Sequence, residues 1–146
     1  MFTLTDRVSF FLYQWTGIVN ATENNFVEVF GHEGHGLEYC FLFLFGVSLV
    51  FTLIFYFGMA TNVNNATPKN YLLTMLMGYI VLVATNYFGF ATIFGNECIS
   101  SMNLLKVSLI DILYYAILFE LFSLAFKNMS NASNIDLISI LFNKKL

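Results

Sequence analysis

The chain has 146 residues, 58% of them hydrophobic and only 10% charged, with a mean hydropathy of +0.74. Ordinary soluble domains carry about 25% charged residues, so the composition argues against a water-soluble globule and for lipid as the solvent. A formal net charge of −3 gives no basic footprint for nucleic acid, and the two cysteines, Cys40 and Cys98, form no metal or redox spacing. Eighteen Phe beside a single Pro point to AT-rich codon supply, which weakens any reading of the Phe count as aromatic-box chemistry.

Residues 1–34 read as an N-terminal extension. They lack the basic leading region of a cleaved signal. The apolar run "VSFFLYQWTGIV" (8–19) is too short to span a membrane as a helix. It reads as an interfacial or partner-packed helix, with Tyr13, Gln14 and Trp15 near a headgroup layer. "GHEGHG" (31–36) places two histidines three apart and does not fit the HExxH zinc pattern. A turn before the first span is the preferred reading, and no metal site is expected.

Residues 35–146 read as a membrane domain. Three long apolar segments follow one another: 37–59 "LEYCFLFLFGVSLVFTLIFYFGM", 71–94 "YLLTMLMGYIVLVATNYFGFATIF" and 104–126 "LLKVSLIDILYYAILFELFSLAF". Each is long enough for a hydrocarbon layer of about 30 Å at about 1.5 Å per residue. Helices are expected because each satisfies its own backbone groups. The linkers "ATNVNNATPKN" (60–70) and "GNECISSMN" (95–103) are polar, and the tail carries an apolar patch, "IDLISILF" (135–142), suited to a short surface helix. The predicted fold class is an all-α membrane protein: a bundle of three transmembrane helices with an N-terminal extension and a short C-terminal surface helix.

Charge sets the orientation. Three spans put Asp6, Arg7, Glu23, Glu28, Glu33, Glu38 and Glu97 on one face, and Lys69, Lys127, Asp136, Lys144 and Lys145 on the other. Basic residues mark the cytoplasmic side or its mitochondrial equivalent, the matrix. Lys106 falls on the acidic side and is expected to snorkel. Cys40 and Cys98 share one face, so a disulfide between them is open.

The third span contains the chemistry. In "AILFELFSLAF" (116–126), Glu120 is the lone acid. An acid at mid-membrane costs about 2.5–3.5 kcal/mol on insertion scales. Desolvation disfavours its charged form, which makes it a candidate proton carrier; the alternative is a hydrogen-bonded Glu that only ties helices together. Asp111 lies nine residues earlier, nearly opposite on the helix. The two acids are therefore not expected to face one partner helix, and Lys106 or another chain is a candidate partner for Asp111. In the second span Tyr79 and Asn86 share a stripe, with Thr85 adjacent, either as an interhelical contact or as the lining of a water path.

These pieces together resemble subunit 4L of NADH:ubiquinone oxidoreductase (respiratory complex I), as a divergent, protist mitochondrial member. The resemblance covers roughly residues 35–140. "YLLTMLMGYI" (71–80) matches the family's second-helix pattern at Leu72, Leu73, Met75, Leu76 and Gly78; "ELFSLAF" (120–126) supplies the third-helix Glu120 with Ser123, Leu124 and Ala125. "HGLEYCFLFLFG" (35–46) resembles the opening of the first helix, and "SNIDLIS" (133–139) the segment after the third. The family's second key glutamate falls at Ile80, which cannot carry a proton, and residues 1–34 have no family counterpart.

The resemblance implies a non-redox subunit of a translocating oxidoreductase, with no catalytic centre and no cofactor of its own. FMN, iron–sulfur clusters and ubiquinone would be bound elsewhere in the complex. It implies a proton path with Glu120 as the main protonatable group and Tyr79, Thr85 and Asn86 lining or anchoring water; a structural role for Asp111 ranks ahead of transport, and the carboxyl missing at Ile80 is supplied by Asp111 or by a neighbouring chain, or the route differs. The implied partners are other complex I membrane subunits and the lipid bilayer. The implied location is the mitochondrial inner membrane, N-terminus to the intermembrane space and C-terminus to the matrix, with a bacterial inner membrane as the alternative. Two rival functions remain: a lineage-specific structural subunit of a respiratory complex, and a small homo-oligomeric channel or transporter.

Overall fold

The structure is a computed structural model, and it describes residues 36–94 and 102–142. The extension, the turn expected at GHEGHG up to residue 35, and Cys98 lie outside the described residues. Three long helices follow in order: α1 (Gly36–Leu53), continued by a π-helical segment (Ile54–Met59); α2 (Pro68–Phe94); and α3 (Met102–Phe126), continued by a 3-10 turn (Lys127–Met129). A short helix, α4 (Leu137–Phe142), closes the described chain. The protein is all-α, and its three long helices are apolar and long enough to cross a membrane. The spans expected from sequence agree with these elements within a few residues.

Local chemistry explains the boundaries. α2 starts where Thr67 and Pro68 meet. The Asn70 N–H donates to the Thr67 hydroxyl at 3.2 Å, and Pro68 takes the first helical position, where its missing N–H costs nothing. The preceding loop is held by asparagines: Asn64 N–H donates to Asn62 Oδ1 at 3.0 Å, and Asn70 Nδ2 to the Asn65 carbonyl at 2.9 Å. The π-helical end of α1 closes with Ala60 N–H donating to the Phe55 carbonyl at 2.7 Å. Hydroxyls inside the spans fold back on their own helices. Thr52 donates to the Ser48 carbonyl, Thr74 to that of Asn70 and Ser123 to that of Phe119, each at 2.7 Å, so no hydroxyl proton of these three is offered to lipid.

The distribution of side chains is that of a protein in lipid. Leu42, Val50, Leu72, Leu76, Ile80, Leu113, Ile117 and Leu121 are exposed, whereas Ser48, Thr52, Thr74, Asn86, Asp111 and Ser123 are buried. Apolar residues outside and polar ones inside is the arrangement expected when helices associate by packing and hydrogen bonds in a hydrocarbon solvent.

The chain divides into two compact units, each built from segments of all three long helices. In the first (among the described residues, 36–44 with 82–94 and 102–112), Cys40, Leu44, Leu82 and Val107 are fully buried. Gly89 admits the Phe43 ring against α2; a Cβ there would lie 2.8 Å from it. In the second (among the described residues, 45–81 with 113–142), aromatic rings form the core. Phe55 packs edge-on to Tyr56 and Tyr71 at 5.0 and 5.2 Å between centroids, and Phe119 meets Tyr71 at 5.3 Å and Tyr115 at 5.6 Å. Such pairs add about 0.5–1.5 kcal/mol each beyond burial.

Gly78 is a close-approach position. A Cβ there would collide with the Tyr115 hydroxyl and come within 2.8 Å of the Phe51 ring. Gly78→Ala is expected to destabilise by about 1–3 kcal/mol through overpacking. Tyr115→Phe leaves the Phe51 ring but removes the nearest obstacle and a buried hydroxyl without a hydrogen-bond partner among the described residues. It is expected to restore much of the lost stability, read as the thermal midpoint of the detergent-solubilised protein for the two single variants and the double.

The tail folds back onto the second unit. Tyr56 donates to the Ile135 carbonyl, and Asn131 Nδ2 to the Thr61 carbonyl at 2.8 Å. Asp136 caps α4, accepting Ser139 N–H at 2.6 Å, and pairs with Lys127 Nζ at 2.7 Å. Burial by itself pushes the Asp136 carboxyl up, but the Lys127 ammonium and the Ser139 donors outweigh it, and the net shift is downward from 3.8. The stabilisation is therefore complete above the unfolded value and is lost as pH falls through the lower folded one. Amide exchange in α4 is expected to accelerate on acidification below about pH 4. In Asp136→Asn exchange should be faster at neutral pH and lose that acid step.

Candidate functional site

Two acids of α3 sit in different surroundings, one in each unit. In the first unit Asp111 is fully buried. The Asn86 amide, on α2, donates to its Oδ2 at 2.8 Å. Asn86 is itself fully buried, and its Oδ1 has no hydrogen-bond partner among the described residues. This corner thus brings together two of the expected residues, Asp111 and Asn86. Thr85 is half-buried on α2 beside Asn86.

In the second unit Glu120 is half-buried. Its Oε2 accepts the Tyr71 hydroxyl at 3.0 Å and the Leu137 N–H at 2.8 Å, and its Oε1 accepts the Ile138 N–H at 3.2 Å. Tyr71 also lies 3.0 Å from the Ser123 hydroxyl, so Tyr71, Ser123 and Glu120 form one network. Leu137 and Ile138 open α4, and their amides have no intrahelical acceptors; a carboxylate is the group such amides favour. Glu120 therefore serves, with Asp136, as a cap on the C-terminal helix. Tyr79 packs its ring on Tyr115 at 6.3 Å between centroids, an interhelical contact.

One expectation is corrected. Asp111 and Glu120, opposite on an ideal helix, both receive a hydrogen bond from α2, because the Tyr71 side chain is long enough to carry its hydroxyl to Glu120. Asn86 is one partner of Asp111 within the chain. Sequence reading missed Tyr71 as a partner of Glu120. It also missed the tail amides, though Asp136 ahead of an apolar run with Ser139 three residues on is a helix-start signal. Ile80 is 52% exposed in this chain and joins neither cluster.

Among the described residues no group of three or more His, Cys, Asp or Glu side chains could hold a metal ion. The fold and these buried polar contacts define a small all-α membrane protein. No family model, curated protein or solved structure matches the chain.

Proposed function

We propose that the chain is a membrane subunit of a proton-translocating respiratory complex, in the position that subunit 4L occupies in NADH:ubiquinone oxidoreductase. In this reading α3 carries its protonatable groups. The observation that carries the proposal is the Asp111 corner: a fully buried carboxyl in an apolar span, hydrogen-bonded by an uncharged amide. Acids inside spans are expensive and are retained chiefly along ion and proton paths. Asn86 orients the carboxyl, and its own unpartnered oxygen is a site where a water would find an acceptor beside the acid. Asp111 then supplies the carboxyl that Ile80 lacks. Glu120, with the Tyr71 and Ser123 hydroxyls, is the second protonatable group.

The partners in this reading are the other membrane subunits of complex I, in the mitochondrial inner membrane with the tail in the matrix. The test uses the assembled complex in its native membrane. Proton uptake per NADH oxidised is measured for Asp111→Asn and Glu120→Gln, each keeping shape and hydrogen bonding but unable to release a proton. The expected result is a loss of coupled pumping of at least about tenfold in Asp111→Asn. Unchanged pumping in both variants, or isolation of the chain without dehydrogenase subunits, overturns the proposal.

One observation favours a second reading, a structural subunit without a transport role. The Glu120 carboxylate is engaged by two backbone amides of the tail, which is an architectural task. On that reading Glu120→Gln loosens the tail and leaves pumping intact.

A further inference from the structure

After α3 the tail turns back onto the helix it has just left. Glu120 lies seven residues before Lys127, about 10 Å along the helix axis, within the apolar span Lys106–Met129. Yet its carboxylate binds the first two amides of α4. The N-terminus of α4 is therefore held between Glu120 and Lys127, whose ammonium pairs with the capping Asp136 at 2.7 Å. Beyond its capped end the helix shows apolar side chains outward: Ile138 is 50% exposed, Leu141 67% and Phe142 81%. The sequence continues directly into Lys144 and Lys145.

We propose that α4 is a re-entrant anchor in the leaflet on the C-terminal side, with Ile138, Leu141 and Phe142 against acyl chains. Three features fit this occupant. First, a helix end in hydrocarbon needs its free N–H groups satisfied, because each costs several kcal/mol when unpaired. Glu120 and Asp136 supply acceptors for three amides of α4, those of Leu137, Ile138 and Ser139. Second, the exposed side chains of α4 are large and apolar, like the exposed Leu113, Ile117 and Leu121 of the apolar span it folds back on. Third, an apolar face followed by a lysine pair is complementary to a leaflet with anionic lipid, at about 1 kcal/mol per Lys near the surface.

The test uses the full chain in vesicles of phosphatidylcholine and phosphatidylglycerol containing a phosphatidylcholine with a diazirine in its acyl chain. After photolysis, adducts are mapped by peptide mass spectrometry. Labelling of Leu141 and Phe142 is expected at the yield of Leu121, well above that of the loop 61–65. In Glu120→Ala the α4 adducts are expected to fall to the loop's level while Leu121 stays labelled. Labelling of α4 at the loop's level in the native chain overturns the proposal, since water or protein then covers that face. Undiminished α4 labelling in Glu120→Ala overturns the seating role of the carboxylate.

Discussion

Glu120→Ala is expected to free the C-terminal segment from the second unit. The substitution removes the acceptor of three hydrogen bonds, from Tyr71, Leu137 and Ile138. Bonds to a charged acceptor contribute about 1.5–3 kcal/mol each but do not add, so a loss of roughly 3–5 kcal/mol in tail docking is expected. Tyr71 keeps Ser123 as a neighbour and its aromatic contacts with Phe55 and Phe119, so the core of the unit should survive. The damage should be confined to residues 130–142. Amide exchange reads this directly: the Leu137 and Ile138 amides should exchange far faster in the variant, with α2 unchanged. Glu120→Gln should lie between, because its carbonyl oxygen still accepts while its NH2 group meets the amides as a second donor. Native-like protection of α4 in the alanine variant would contradict the capping role.

The Asp111–Asn86 pair should give the second large effect, and a double-mutant cycle separates pairing from burial. Asp111→Leu leaves the fully buried Asn86 amide without the acceptor it uses at 2.8 Å, and its Oδ1 already has no partner among the described residues. A buried polar group left unsatisfied costs about 1–3 kcal/mol. Asn86→Leu removes one hydrogen-bond donor from a buried carboxyl and should cost about as much. The double Leu variant removes both polar groups and should be closer to wild-type in thermal unfolding than either single variant. Strict additivity would mean that the two side chains do not depend on each other. Translocation makes the opposite demand: a double Leu variant that folds well should still fail to pump if Asp111 carries protons.

The lysine-rich and acidic ends, the three spans and the tail helix were all legible in the residues, because apolar length and charge sidedness are properties of the chain read in order. Asn86 and Asp111 stood out singly for a similar reason: polar groups in a hydrocarbon solvent are conspicuous wherever they fall. Their pairing was not legible, since it depends on where α2 and α3 touch. Nor was the need for Gly78 as a notch for Tyr115, since a single Gly in a helix has many readings until its neighbour is known. The reading of Glu120 changed most. Depth and residue type suggested a proton carrier, but a carboxylate's role depends on which donors reach it, and two of its donors are backbone amides 17 and 18 residues further along the chain.

The sequence by itself determined that this protein lives in lipid, crosses it as three helices and keeps acids where hydrocarbon would reject them. These follow from composition and period, which need no partner to be read. Only the tertiary structure decided what the acids hold: Asn86 for Asp111, and Tyr71 with the turned-back tail for Glu120. Hydrogen bonds are directional and short, so distant residues are joined by the path of the chain in space and not by their order along it.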